Sequence, residues 1–498
     1  MMMVGNVNAL ILGRIMIMKK ELSLQLVGMA LLFTFACVAL LAGHGAAAQE
    51  VPRQRVLVLT DIGGDPDDEQ SLIRFLLYAN EFDIEGIMVT ANRGHTKPEL
   101  VYERIEAYRQ VRPNLTVHAP DYPTADELLS KVKIGTSYRG IQSIGADQDT
   151  PASQYIIDVI DESDPRPLWI LVWGAPTDLA QALWQIQRHR PIDEIEPMIS
   201  KIRVYDIAGQ DETGAWICHH FPGILWLRST IQFQAISVRE ARPFPPEYTG
   251  ANIDTFTPEW VDEHIQSHGP MGALYPERKY KYEGDTPAFL YLLPNGLSDP
   301  EWVHYGGWGG RFAAAPTQNV RGFRQRDTEG QKPFHDFWMH TEAADTWRYQ
   351  DLVYQDSVFA ALFRWREAFQ NDFAARMDWS TTGSYFEANH NPVAAFGADD
   401  SRGIVNLHVQ SSERVTLDGR RSHDPDGDGL TYRWFIYPEP GTYSGEVALQ
   451  NARQPQAEIT MPEVQTPQSL HVILEVKDNG TPPLFSYKRV VCHIAPAQ

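Results

Sequence analysis

Val56 to Asn80 reads VLVLTDIGGDPDDEQSLIRFLLYAN, and its pattern decides the fold. Val56, Leu57, Val58 and Leu59 form a run that is apolar on both faces, as a strand inside a parallel sheet requires. Leu72, Ile73, Leu76 and Leu77 then recur at helical spacing, so the stretch is a strand, a turn and a helix. The turn carries Asp61, Asp65, Asp67 and Asp68 within eight residues. Gly63 and Gly64 permit the tight path out of the strand. Asp67 and Asp68 fall in the first helical turn, where the macrodipole favours each acid by roughly 0.3–1 kcal/mol. That offsets only part of the mutual repulsion of four carboxylates. A hard cation with oxygen ligands offsets more, and Ca²⁺ suits several carboxylates and carbonyls in loose geometry. A solvated, Asp-rich capping turn is the plain alternative.

Outward from this unit the alternation continues: strand Ile84–Thr90, helix Glu99–Arg109, strand Leu168–Trp173, helix Asp178–Arg188 and strand Ile202–Tyr205. Strands alternating with helices predict an α/β fold, a doubly wound and mostly parallel sheet with helices on both faces. Such sheets bind ligands beyond the carboxyl ends of their strands. Asp61, Asn92 and Gly174 to Thr177 all lie just past strand ends, so the topology predicts that they share one crevice. From Ile207 to about Tyr385 the chain is rich in Trp, Gly and Pro and closes on a helical pattern, with no linker before Asn389. After "NHNPVA" the texture changes. "LTYRWFIY" and "SLHVILEVKD" alternate as strands, with "DPDGDG" and "DNGTPP" between elements, which predicts a small β-sandwich over residues 391–498 that folds by itself. Asp424-x-Asp426-x-Asp428-Gly429 begins like an EF-hand loop, but Phe435 stands where the bidentate Glu is required, so turn chemistry is the favoured reading.

Composition narrows the class. The 498 residues suit two or three domains, and 43% apolar residues can bury a sizeable core. A net charge of −21 argues against a nucleic-acid polymer or an anionic membrane surface as partner. Lys19 and Lys20 precede a mostly apolar stretch, Leu26 to Leu41, followed by "GHGAAAQE". This order predicts a signal peptide over residues 1–48 cut after Ala48, with Met18 as a start, no stable membrane insertion after cleavage, and a periplasmic or secreted protein. The α/β domain then spans 49–388. Cys218 and Cys492 remain, far apart, and imply no disulfide framework.

Four motifs in order, "TDIGGDPDDEQS", "TANRG", "GAPTDLA" and "GDTPAF", resemble the nucleoside hydrolases. A closer resemblance, covering nearly the whole chain after residue 48 and including "GGWGGRF" and "SHDPDGDGLTYRW", is to secreted nucleoside-hydrolase-like, cellulose-binding proteins with a C-terminal Ig-like domain. The resemblance implies a Ca²⁺-dependent hydrolase of glycosidic bonds. Asp61 would be general base and metal ligand, with Asp68, Thr177 (through its carbonyl) and Asp285 as further metal ligands. Asp67, Asn92, Asp211 and Trp216 would bind the sugar, and Gln210 aligns loosely beside them. A gapless alignment instead places Gly63 at the base position, and Gly284 replaces the family's leaving-group His, with Glu283 nearby. The alternative function is a non-catalytic carbohydrate (cellulose)-binding protein using the same cleft. Its partner in either case is a glycoside or polysaccharide.

Overall fold

The structure, a computed structural model, describes residues 51–90, 94–236, 253–277, 283–316 and 337–497. The expectations for residues 1–48 and for Asn92 lie outside these.

β1 (Gln54–Thr60) is central because alternate residues feed two cores: Val56 and Val58 enter one apolar cluster, Leu57 and Leu59 the other. The remaining strands of its sheet are β2 (Phe82–Val89), β3 (Val132–Ile134), β4 (Leu168–Val172), β5 (Ile202–Ile207), β6 (Leu225–Ser229), β7 (Phe312–Pro316) and β8 (Trp338–Glu342). They are ordered β3-β2-β1-β4-β5-β6-β8-β7, with only β7 antiparallel to its neighbour. Helices α1 (Asp67–Leu77) and α2 (Pro98–His118) cover one face. Helices α3 (Pro151–Asp161), α4 (Thr177–His189) and α5 (Thr213–His220) cover the other. The strand order reverses between β1 and β4, so the crevice beyond their carboxyl ends is the topological switch point.

A two-stranded ribbon, β9 (Asp345–Tyr349) and β10 (Leu352–Ser357), leads to α6 (Arg366–Thr381). The C-terminal β-sandwich follows. One sheet is β11 (Val405–Gln410), β17 (Phe485–Ala495), β16 (Gln468–Lys477) and β13 (Thr431–Tyr437); the other is β12 (Arg414–Asp418), β15 (Gln456–Thr460) and β14 (Leu449–Gln450). It has its own core around Leu417, Trp434, Val472 and Leu474, yet Tyr437, Ile473, Phe485 and Tyr487 belong to the same apolar cluster as α1 and α6. The two parts also touch backbone to backbone. Arg489 N–H donates to Gly296 O at 2.9 Å, and a Cβ on Gly296 (φ +82°) would lie 2.0 Å from Tyr487 O, so only glycine fits there. Among the described residues no helix is long and apolar enough to cross a membrane.

Candidate functional site

The crevice is built from strand ends brought together by backbone contact. Trp173 N–H and Gly174 N–H both donate to Leu59 O, at 2.8 and 3.2 Å. A Cβ on Gly174 would sit 2.7 Å from that of Asp61, so the close approach of these two ends depends on the glycine. Asp61 follows β1, while Asp67 and Asp68 open α1, where free N–H groups and the helix dipole favour acids. Asp285 arrives from a distant segment. Asp67, Asp68 and Asp285 are all buried and present oxygens within 4.8 Å of one another. Thr60 Oγ1 donates to Asp68 Oδ1, which fixes that carboxylate.

Asp61 is not one of this trio: its Oδ2 accepts from Arg139 Nη2 at 2.7 Å. Arg139 also donates to Gln210 Oε1 at 3.0 Å, and Gln210 Nε2 to Trp173 O at 2.6 Å. The loop after β3 thereby enters the site, a contribution that sequence reasoning missed. Its signal, an Arg beyond a short strand in "GTSYRGIQ", is common in surface loops.

Other expected residues take different roles. Thr177, the first residue of α4, donates its hydroxyl to Asp211 Oδ2 at 2.6 Å, and the same hydroxyl accepts from Gly140 N–H at 3.0 Å. Asp211 also accepts from Gly140 N–H and, at its other oxygen, from Thr213 N–H and Oγ1. The structure makes Asp211 a buttress for the Gly140 loop, with burial raising its carboxyl above the ordinary range. Trp216 goes to the core: it is buried, stacked on His220 at 4.6 Å, and packed in the cluster beneath α3 and α4. Its apolar area outweighs a place in the crevice. Glu283 is engaged at both oxygens. Oε2 accepts from Arg74 Nη1 at 2.8 Å and Thr286 Oγ1 at 3.0 Å, and Oε1 from Tyr275 Oη at 2.7 Å. It anchors the segment carrying Asp285. Trp308 is core, while Trp302 is 54% exposed.

Beside Thr177, burial pushes the Asp178 carboxyl from 3.8 up to about 6, although Thr150 Oγ1 and Thr136 N–H donate to it. A carboxyl raised in the folded state stabilises the protonated fold below its unfolded value, and that contribution is lost as pH rises through about 6. Asp178→Asn, an uncharged isostere, is expected to gain on the parent by up to about 3 kcal/mol between pH 4 and 7. Denaturant midpoints at both pH values measure this, and a difference independent of pH contradicts it.

The family model described as "Cellulose-binding Sde182, nucleoside hydrolase-like domain" matches residues 55–312, and "Cellulose-binding protein Sde0182, C-terminal domain" matches residues 414–494. A solved structure of a nucleoside hydrolase-related hypothetical protein from Saccharophagus degradans, described as associated with carbohydrate metabolism, is 37% identical. The match covers 89% of this chain and 100% of that one, with a TM-score of 0.77. The type III effector XopQ, solved with adenosine diphosphate ribose, is 11% identical over 67% of this chain and 96% of its own, TM-score 0.30. The PKD domain of the KIAA 1837 protein is 20% identical over 22% and 95%, TM-score 0.16. No curated protein matches.

Proposed function

This chain belongs to the Sde182 cellulose-binding, nucleoside hydrolase-like family, and on that footing we propose an exported, calcium-dependent hydrolase of glycosidic bonds, acting on an N-glycoside or related glycoside. The observation that carries the reading is the buried trio Asp67, Asp68 and Asp285, with oxygens within 4.8 Å. Three carboxylates so close and so dry repel strongly without a cation, and an all-oxygen donor set fits Ca²⁺. These three would hold the ion, with Thr177 able to add only its carbonyl, since its hydroxyl is spent on Asp211. Bound calcium supplies Lewis-acid activation of water.

Asp61 takes the proton of the attacking water, and Arg139 orients its carboxylate. A single carboxylate base with attack opposite the leaving group implies inversion at the anomeric carbon. Glu283 is fully engaged and Gly284 has no side chain, so glycosides whose leaving group departs unprotonated are expected to react fastest. The basic, apolar and Ala-x-Ala order before Gln49 supports export to the periplasm or medium.

The Arg139–Asp61 pair favours a second reading, a carbohydrate-binding protein without turnover, because the intended base is already engaged. A product screen on nucleosides, aryl glycosides and cello-oligosaccharides, with and without a chelator, separates the two. Calcium at a hundredfold over Kd is expected to stabilise the fold by about 2.7 kcal/mol. Calorimetry showing no calcium binding, with an unchanged melting temperature on chelation, removes the metal site.

A further inference from the structure

A second cleft, about 690 Å³ in volume, lies between the β9–β10 ribbon and the start of α6 on one side and the sandwich sheet on the other. None of Asp61, Asp67, Asp68 and Asp285 lines it. We propose that it holds a neutral β-linked glucan chain, a site apart from the carboxylate crevice; the choice of sugar class rests on the carbohydrate reading above.

Trp347 and Tyr349 stand two residues apart on β9, so both rings leave the same face of the ribbon. Their centroids are 5.4 Å apart, and Tyr354 on β10 backs Trp347 at 5.9 Å with planes 22° apart. The result is an aromatic cluster whose rings brace one another, and Trp347 and Tyr349 line the cleft, where the C–H face of a sugar ring can pack on them. The opposite side is polar: the cleft's two carboxylates, Glu367 and Glu475, are each paired with a cation, and exposed Arg453 completes the rim. Arg433 grips Glu475 through two bonds, Nε to Oε1 at 2.7 Å and Nη2 to Oε2 at 2.6 Å, and Lys477 Nζ reaches Glu367 Oε1 at 2.6 Å across the cleft. A cationic ligand would have to break these pairs to reach either carboxylate and would leave a partner uncompensated. A hydroxyl both donates and accepts, so it can use the remaining carboxylate lone pairs and guanidinium N–H groups without breaking anything. The volume lies within the range that encloses a small-molecule ligand, enough for a short run of rings.

The test is titration calorimetry of the full chain with cellohexaose. Tyr349→Ala, which removes one of the two β9 rings, and Glu475→Gln, which unhooks Arg433 on a different element, are each expected to weaken binding about tenfold. A chelator is expected to leave binding intact, since the cleft contains none of the trio. Binding that ignores both substitutions, or that chelation abolishes, overturns the proposal, as does an absence of cellohexaose binding or a preference for polygalacturonate. Turnover of an aryl glycoside with calcium, measured on the same samples, keeps the two readings apart. Its absence removes the hydrolase and leaves the cleft standing, whereas intact turnover beside unaltered glucan affinity in the variants removes the cleft alone.

Discussion

Asp61→Asn is expected to lower turnover by about 10²–10⁴-fold while leaving sugar affinity and the calcium-dependent gain in melting temperature in place. Asparagine keeps the volume and one oxygen able to accept from Arg139, which now bonds Asp61 Oδ2 at 2.7 Å, but it cannot take a proton from water. Asp68→Ala is expected to behave differently. It removes one of the three clustered carboxylates and the acceptor of Thr60, so calcium affinity, sugar binding and turnover fall together. The two variants thus separate a proton-transfer role from a metal-holding one. Rate and affinity measured side by side for parent and variants decide it. Undiminished turnover in Asp61→Asn sinks the assignment of the base. A parent with no turnover, and an Asp61→Asn variant with unaltered affinity, establishes the binding protein.

Arg489→Met is expected to cost about 3–5 kcal/mol of stability. The guanidinium is wholly buried where the sandwich meets the α/β part. It donates to Leu297 O at 2.5 Å and to Tyr305 O and Gly306 O at 2.9 Å each. Methionine retains much of the stem's volume but strands these carbonyls away from water. Unfolding by denaturant measures the loss, and a variant within 1 kcal/mol of the parent contradicts it. A chain ending at residue 388 is expected to fare worse. It deletes Tyr437, whose hydroxyl donates to the buried Asp345 at 2.6 Å, and uncovers Trp365 and Trp308, which pack on Tyr487. The sandwich alone retains the core around Trp434 but exposes Tyr437 and Tyr487.

Much of the α/β architecture was legible because its strands are buried on both sides and read as continuous aliphatic runs, with Val56–Leu59 and Leu168–Trp173 as the clearest cases. The Asp-rich turn stood out because four carboxylates in eight residues repel one another unless compensated, whereas Asp285 was marked only by the family motif GDTPAF. What stayed hidden was pairing across long sequence separations. Nothing near Arg139 announces that it will meet Asp61, 78 residues away, and nothing near Glu283 announces Arg74. Trp216 misled because an aromatic near a sugar site and an aromatic in a core look the same in a sequence. The change of texture at Asn389 marks where sandwich strands begin. It does not reveal the shared core, since Phe485 and Tyr487 follow the ordinary alternation of an edge-to-centre strand.

The glycine junction at Gly296 has a kinetic consequence. When a carbohydrate-holding module hangs from a flexible tether, the local concentration of ligand at a neighbouring site is set by tether length and declines gradually as the tether grows. Here the Gly296–Tyr487 contact and the Arg489 bonds leave no tether. Two sites on such a frame act as a fixed ruler. If both proposed sites hold sugar, a polymer whose repeat reaches from one to the other is captured at both, with a large gain in residence time. A chain too short to bridge them gains nothing, so affinity should rise as a step with ligand length.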